Sequence, residues 1–238
     1  GGPDYAEGLL ELGVTRVSMG VQSFDDSVLK WMNRRHSAAQ AREAFRVLRE
    51  AGFDDISVDL IFGFETTSWE RSLDEALALR PEHISAYQLS VEPDSALERM
   101  VEDGRFAEAD ERLCRSQYDL LCSMLADAGY VHYEISNFCR EGMKSMHNSN
   151  YWNGTPYLGI GAGAHSFDGT ERRWNPDDLD LYIRCMSQGK PCFENEILSV
   201  EDKYNECLML GLRTSDGICL DRIRNRFGEK YYNQLRRN

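Results

Sequence analysis

Ile56-Ser57-Val58-Asp59-Leu60-Ile61-Phe62 is a short, nearly continuous apolar run closed by Gly63. A run of this length with this much β-branched content fits a strand covered on both faces, as in a parallel sheet, better than a buried helix. Toward the N-terminus, Thr15 to Val21 (TRVSMGV) reads as a second buried strand over 15–21, ending at Gln22-Ser23-Phe24. Between the two, Ser37 caps a helical pattern of Ala41, Ala44, Phe45 and Leu48 that stops at Gly52. Toward the C-terminus, a helix from about Ser68 to Leu79 stops at Arg80-Pro81, and His83 to Val91 (HISAYQLSV) forms a third strand before the turn at Pro93. Strand and helix alternate with short links, which predicts an α/β fold: the C-terminal part of a partial (β/α) TIM-type barrel. A full barrel takes more units than these three, and the chain begins at a helix, so it reads as a piece of a longer protein.

Further along, an amphipathic helix is expected over 109–128 and a strand over 130–138 (YVHYEISNF). Residues 145–167 carry no charge, against about six expected from the 28% charged residues of the whole chain. Asn, Ser, His and Gly within that run exclude a membrane helix. Short helices follow near 177–188 and 200–212, then a helical basic tail over 218–237. The expected domains are the barrel segment over 1–135, a β extension over 136–198 and the start of a helical domain over 199–238.

The chain has 238 residues and a formal net charge of −13, a poor match for whole-surface attraction to nucleic acid or anionic lipid. In the tail, Arg222, Arg224, Arg226, Lys230, Arg236 and Arg237 outnumber Asp221 and Glu229, and a solvated helical face explains them better than DNA binding. The seven cysteines contain no CxxC pair, so no local zinc or iron–sulfur signature and no disulfide framework is expected. Free thiols and the absence of a signal peptide at 1–11 predict a cytoplasmic protein.

Asp59 is the most anomalous residue, because an unpaired carboxylate in an apolar strand costs several kcal/mol, of order 2–7 for a buried polar group. Either a neighbouring strand's arginine pairs with it, or it accepts hydrogen bonds from a polar ligand inside the barrel. Gln22, at the end of the first strand, can donate and accept toward a sugar hydroxyl or simply cap its loop. Arg34 is a helix-end cation or a carboxylate partner. An amide, a cation and a carboxylate together suit a zwitterionic amino-acid ligand bearing a ribose.

The blocks GVTRVSMGVQSF, NRRH, DLIFG, HISAYQLSVEP, YEISNF, HNSNYW and GIGAGAHSF occur along essentially the whole chain. In order and spacing they resemble radical S-adenosylmethionine proteins related to oxygen-independent coproporphyrinogen III oxidase, most closely the HemW-type heme chaperone branch. The resemblance implies S-adenosylmethionine contacts at Gln22, Arg34 and Asp59, with the backbone near Ser90 against the adenine. It implies a 4Fe-4S cluster on a CxxxCxxC motif and an upstream glycine-rich segment, neither of which occurs in these residues, and a C-terminal winged-helix-like domain that this chain only begins. This chain alone is therefore not expected to carry out radical chemistry. After DLIFG the family's Pro-x-Gln-like turn is replaced by Phe64-Glu65-Thr66-Thr67. The function implied is a chaperone that binds heme and transfers it to apo-hemoproteins, with coproporphyrinogen III oxidase as the alternative; whether it pairs with a second copy stays open.

The resemblance also points to His147-Asn148-Ser149-Asn150-Tyr151-Trp152 as a heme-binding block. If this is helical, His147 and Tyr151 share a face at i, i+4, giving an iron ligand and an aromatic wall, with Trp152 beside them. His165 is the competing or second axial ligand. His36, His83 and His132 are too scattered for a metal site and read as structural. The glycines of GIGAGAH do not open a helix, so they fail the dinucleotide-binding context and fit a strand passing close to its surroundings. Glu134 reads as a paired strand carboxylate without an identified partner.

Overall fold

A computed structural model describes residues 2–190 and 192–237. The chain divides into two compact units, Gly1–Lys144 and Ser145–Asn238. Gly1, Pro191 and Asn238 lie outside the described residues and include no candidate site residue.

In the first unit, α1 (Pro3–Glu11) leads into β1 (Val17–Gln22), α2 (Asp26–Trp31), α3 (Ala38–Ala51), β2 (Ile56–Phe62), α4 (Trp69–Leu79) and β3 (His83–Gln88). Then come α5 (Ala96–Glu102), α6 (Glu111–Asp127), β4 (Val131–Glu134) and β5 (Asn137–Cys139). The sheet order is β1-β2-β3-β5-β4, with β1, β2 and β3 parallel and β5 and β4 antiparallel along the edge. The parallel strands and their helices are the α/β architecture expected. Successive strand residues point to opposite faces. Ile56, Val58, Leu60 and Phe62 of β2 pack with Ile84 and Ala86 of β3 under Phe45 and Leu48 of α3, Leu73 of α4 and Leu121 and Leu125 of α6. That is the dry core.

Local chemistry fixes the boundaries. Ser37 and Gln40 form a reciprocal capping box at the start of α3, and Gly52 ends that helix in the left-handed region at φ 108°. The buried Gln117 of α6 accepts from Gly63 N (2.7 Å) and donates to Phe64 O (3.0 Å), which clamps the turn after β2. Two expectations need correction. β3 stops at Gln88 instead of Val91, and 130–138 is a hairpin of β4 and β5 instead of one strand. The hairpin turn is held by Glu134, whose Oε1 accepts from Ser136 N at 3.1 Å and from the Asn137 amide.

In the second unit, α7 (Met146–Asn153) is followed by β6 (His165–Phe167), β7 (Glu171–Trp174), α8 (Leu179–Ser187), β8 (Glu194–Ile197), α9 (Val200–Leu212), α10 (Leu220–Phe227) and α11 (Glu229–Arg237). β6, β7 and β8 form an antiparallel sheet. Cys185 of α8 is disulfide-bonded to Cys192, correcting the expectation of seven thiols, while Cys114, Cys122, Cys139, Cys207 and Cys219 are free. Among the described residues no helix is long and apolar enough to cross a membrane.

Candidate functional site

The face of the first sheet opposite the dry core is polar. Register aligns Ser18, Ser57 and His83 in one row and Asp59 with Ser85 in the next. Asp59 is half-buried, and Ser18 Oγ donates to its Oδ1 and Oδ2 at 3.0 and 3.2 Å. Burial pushes the Asp59 carboxyl above its ordinary pKa, while hydrogen bonds from Ser18 and Ser85 and the charge of Arg16 oppose the rise. Hydroxyls therefore take the place of the arginine partner considered for Asp59, since Arg16 itself is ion-paired with Asp55. Alongside, Ser57 Oγ lies 2.8 Å from His83 Nδ1, and His83 Nε2 lies 2.8 Å from Tyr133 OH. Burial, with a smaller contribution from Arg16, pushes the His83 pKa down to about 3. His83 is thus a neutral bridge between two hydroxyls.

Gln22 ends β1 at φ 69°, a left-handed conformation that is costly for a residue with a side chain. Its side chain folds back over Gly20, where a Cβ would meet Gln22 Nε2 at 2.8 Å. Arg34 is exposed in the loop after α2, with its backbone N–H bonded to Leu29 O at 2.9 Å. Ser90 lies just past β3 and donates to Glu92 Oε1 at 2.7 Å. Gln22, Asp59 and Ser90 thus belong to three adjacent strands or their C-terminal extensions, but the residues in direct contact with Asp59 are serines. A cleft of about 1010 Å³ lined by Trp31, Phe64 and Phe106 includes none of Gln22, Arg34, Asp59 and Ser90 among its lining residues.

The second unit carries the other candidates. α7 is helical, with Ser145 capping it through Asn148 N, so His147 and Tyr151 share an exposed face and their rings meet edge to face at 5.0 Å. Tyr151 touches Tyr157 (4.9 Å between centroids), and Tyr157 touches Phe167 (6.2 Å). Trp152 does not join this row. It is turned about 100° from Tyr151 and lies under the Arg213 guanidinium at 5.0 Å. His165 stacks on Trp174 at 5.9 Å. Gly159 lies against the β6 backbone and donates to Ser166 Oγ at 2.9 Å.

A family model for the radical SAM superfamily matches residues 2–76, and one for the HemN C-terminal domain matches residues 198–233. Over those residues the chain is similar to radical S-adenosylmethionine and HemN-type proteins. It is 36% identical over 231 residues to the heme chaperone HemW of Bacillus subtilis (strain 168), covering 95% of this chain and 60% of that protein. The heme chaperone HemW of Mycobacterium tuberculosis (strain ATCC 25618 / H37Rv) is 34% identical over 225 residues, covering 93% of this chain and 58% of that one. The mitochondrial radical S-adenosyl methionine domain-containing protein 1 of Mus musculus is 40% identical over 224 residues, with 87% and 49% covered. The solved coproporphyrinogen III oxidase (HemN) of Escherichia coli shares the fold at a TM-score of 0.80 and 20% identity, covering 98% of this chain and 57% of that one. The chain spans about 60% of the length of its HemW relatives.

Sequence reasoning singled out Asp59 but missed the hydroxyls around it and the Ser57–His83–Tyr133 bridge. A signal was present: Ser57 and Asp59, and likewise His83 and Ser85, are two residues apart and so share a strand face. Two such pairs in neighbouring strands mark a polar face, where the apolar composition suggested two dry ones.

Proposed function

We propose that this chain belongs to a HemW-type heme chaperone that binds heme through His147 and passes it to apo-hemoproteins. The observation that supports this most is the exposed His147–Tyr151 pair on α7, in a chain related to proteins named heme chaperone HemW. A neutral imidazole ligates heme iron, and an edge-on phenol ring beside it offers apolar contact to a macrocycle. Tyr157 extends that contact, with Trp152 behind α7, and His165 is a candidate second axial ligand.

The polar sheet face fits S-adenosylmethionine. Asp59 accepts from a ribose hydroxyl, Gln22 reaches over the open surface of Gly20, and Arg34 has its guanidinium exposed for a carboxylate. The backbone near Ser90 lies against the adenine. A 4Fe-4S cluster, when bound, supplies one-electron chemistry and takes its cysteines from outside these 238 residues. The protein works in the cytoplasm, and residues 136–198 serve as the heme-binding region between the barrel segment, residues 1–135, and the helical domain begun at 199–238.

The test is titration of heme into the anaerobically purified intact protein. A Soret shift typical of imidazole ligation is expected, and His147→Ala should abolish it. If His165→Ala abolishes it instead, the ligand is His165; if neither variant matters, heme ligation by this chain is wrong. The alternative, coproporphyrinogen III oxidase, has the shared fold on its side. Anaerobic consumption of coproporphyrinogen III by the reconstituted protein would favour it.

A further inference from the structure

Of the three buried donors in the second unit with no hydrogen-bond partner among the described residues, Arg224 Nε has Glu229 Oε1 at 3.0 Å, which leaves Trp152 Nε1 and Arg213 Nε. They belong to residues in contact, since the Arg213 guanidinium carbon sits 5.0 Å from the Trp152 ring centroid, where α7 packs on α9. A buried N–H without an acceptor is costly, and two in touching residues point to a missing acceptor that serves both. The contact is a cation–π one, and a guanidinium so placed keeps its in-plane N–H groups for a carboxylate, which arginine takes in bidentate fashion. A second guanidinium is close in the chain: Arg222 donates to the carbonyl of Asn153, the residue after Trp152, at 3.2 Å.

We propose that Arg213 and the Trp152 indole N–H form a carboxylate-binding site, and that the carboxylate is a propionate of the porphyrin. This rests on the heme-binding reading above and extends it. Trp152 then acts behind α7, on the charged rim of the ligand, instead of beside His147 on the porphyrin face. Arg213 is the residue that distinguishes an acidic porphyrin from a neutral one of the same shape. Charge-assisted bonds to a guanidinium partly removed from water are the stronger class of hydrogen bond.

The experiment titrates the intact protein with heme and with heme dimethyl ester, whose propionates are neutral, following the Soret band. Wild type should prefer heme. Arg213→Gln should weaken heme binding roughly tenfold, leave ester binding nearly unchanged and keep the wild-type Soret position, because imidazole ligation is untouched. Trp152→Phe keeps the aromatic stack but removes the N–H, and should lose a share of the same preference; it decides the matter if Arg213→Gln does not fold. Preference for heme over the ester at the wild-type ratio in both variants would overturn the site and leave an internal water as the acceptor. Failure of the heme reading looks different: wild type itself would give no Soret shift with either ligand, and the carboxylate site would fall with it.

Discussion

Asp59 and His83 occupy neighbouring rows of one polar sheet face, and burial moves their pKa values in opposite directions. The Asp59 carboxyl is raised, so the folded state holds that proton more tightly than the unfolded chain. The sign follows by linkage: stability is lost as pH rises from the ordinary carboxylate pKa through the raised one. Asp59→Asn should therefore raise the melting temperature at pH 7, and the gain should vanish once both states are protonated at low pH. If Asp59 accepts from a ribose hydroxyl, the same variant should weaken S-adenosylmethionine binding to the reconstituted intact protein by roughly tenfold or more. Greater stability with unchanged affinity would make Asp59 purely structural. For His83 the sign reverses, because a folded pKa of about 3 means that the unfolded chain takes up the proton first. Between about 6.5 and 3, stability should fall with pH by up to about 1.4 kcal/mol per unit. His83→Gln should flatten that slope in urea titrations run across the range, and an unchanged slope would assign the acid sensitivity to other groups.

The strands that build the core were the most readable elements. β2 matched its apolar run residue for residue, because Gly63 and the flanking helices leave no other use for ISVDLIF. The β4–β5 hairpin was not readable as two strands, because its turn depends on a carboxylate bonding two residues onward, which leaves no mark in hydrophobic periodicity. The β6–β7–β8 sheet was expected only as a β extension over 136–198 with no strand placed, because Glu171-Arg172-Arg173-Trp174 and Glu194-Asn195-Glu196-Ile197 lack any alternating apolar pattern. Charge pairs substitute there: Arg173 with Glu171 at 2.7 Å and Arg172 with Glu206 at 2.9 Å. What was readable in this region was the glycine at 159. A Cβ there would lie 2.1 Å from the His165 carbonyl oxygen, and backbone cannot swing aside as a side chain can. Gly159→Ala should destabilise the second unit by about 1–3 kcal/mol, the cost of forced overpacking, and expose the amides of 157–167 to hydrogen exchange. Protection equal to wild type would show that the segment relaxes freely.

Across the whole chain, apolar burial is uneven. The core of the first unit draws on all three parallel strands and the helices over them, whereas the buried apolar side chains of the second unit, among the described residues, are Phe167, Leu198, Tyr204 and Ile223. A thin core leaves a larger share of stability to cross-links, and the second unit contains the Cys185–Cys192 bond. Sequence could not foresee that bond, because a spacing of seven residues matches no metal or disulfide signature and pairing depends on α8 delivering Cys185 to the segment before β8. Closing a loop with a sequence separation of 7 restricts the unfolded chain by about 2–2.5 kcal/mol in the chain-entropy account. Reducing conditions remove this contribution. Cys185→Ser/Cys192→Ser, or treatment with dithiothreitol, should lower hydrogen-exchange protection in 145–237 by an amount matching that loss and leave 2–144 as in wild type. Equal loss in both units would mean that the bond stabilises the chain as a whole, and no loss in either would mean that folding of the second unit owes nothing to it.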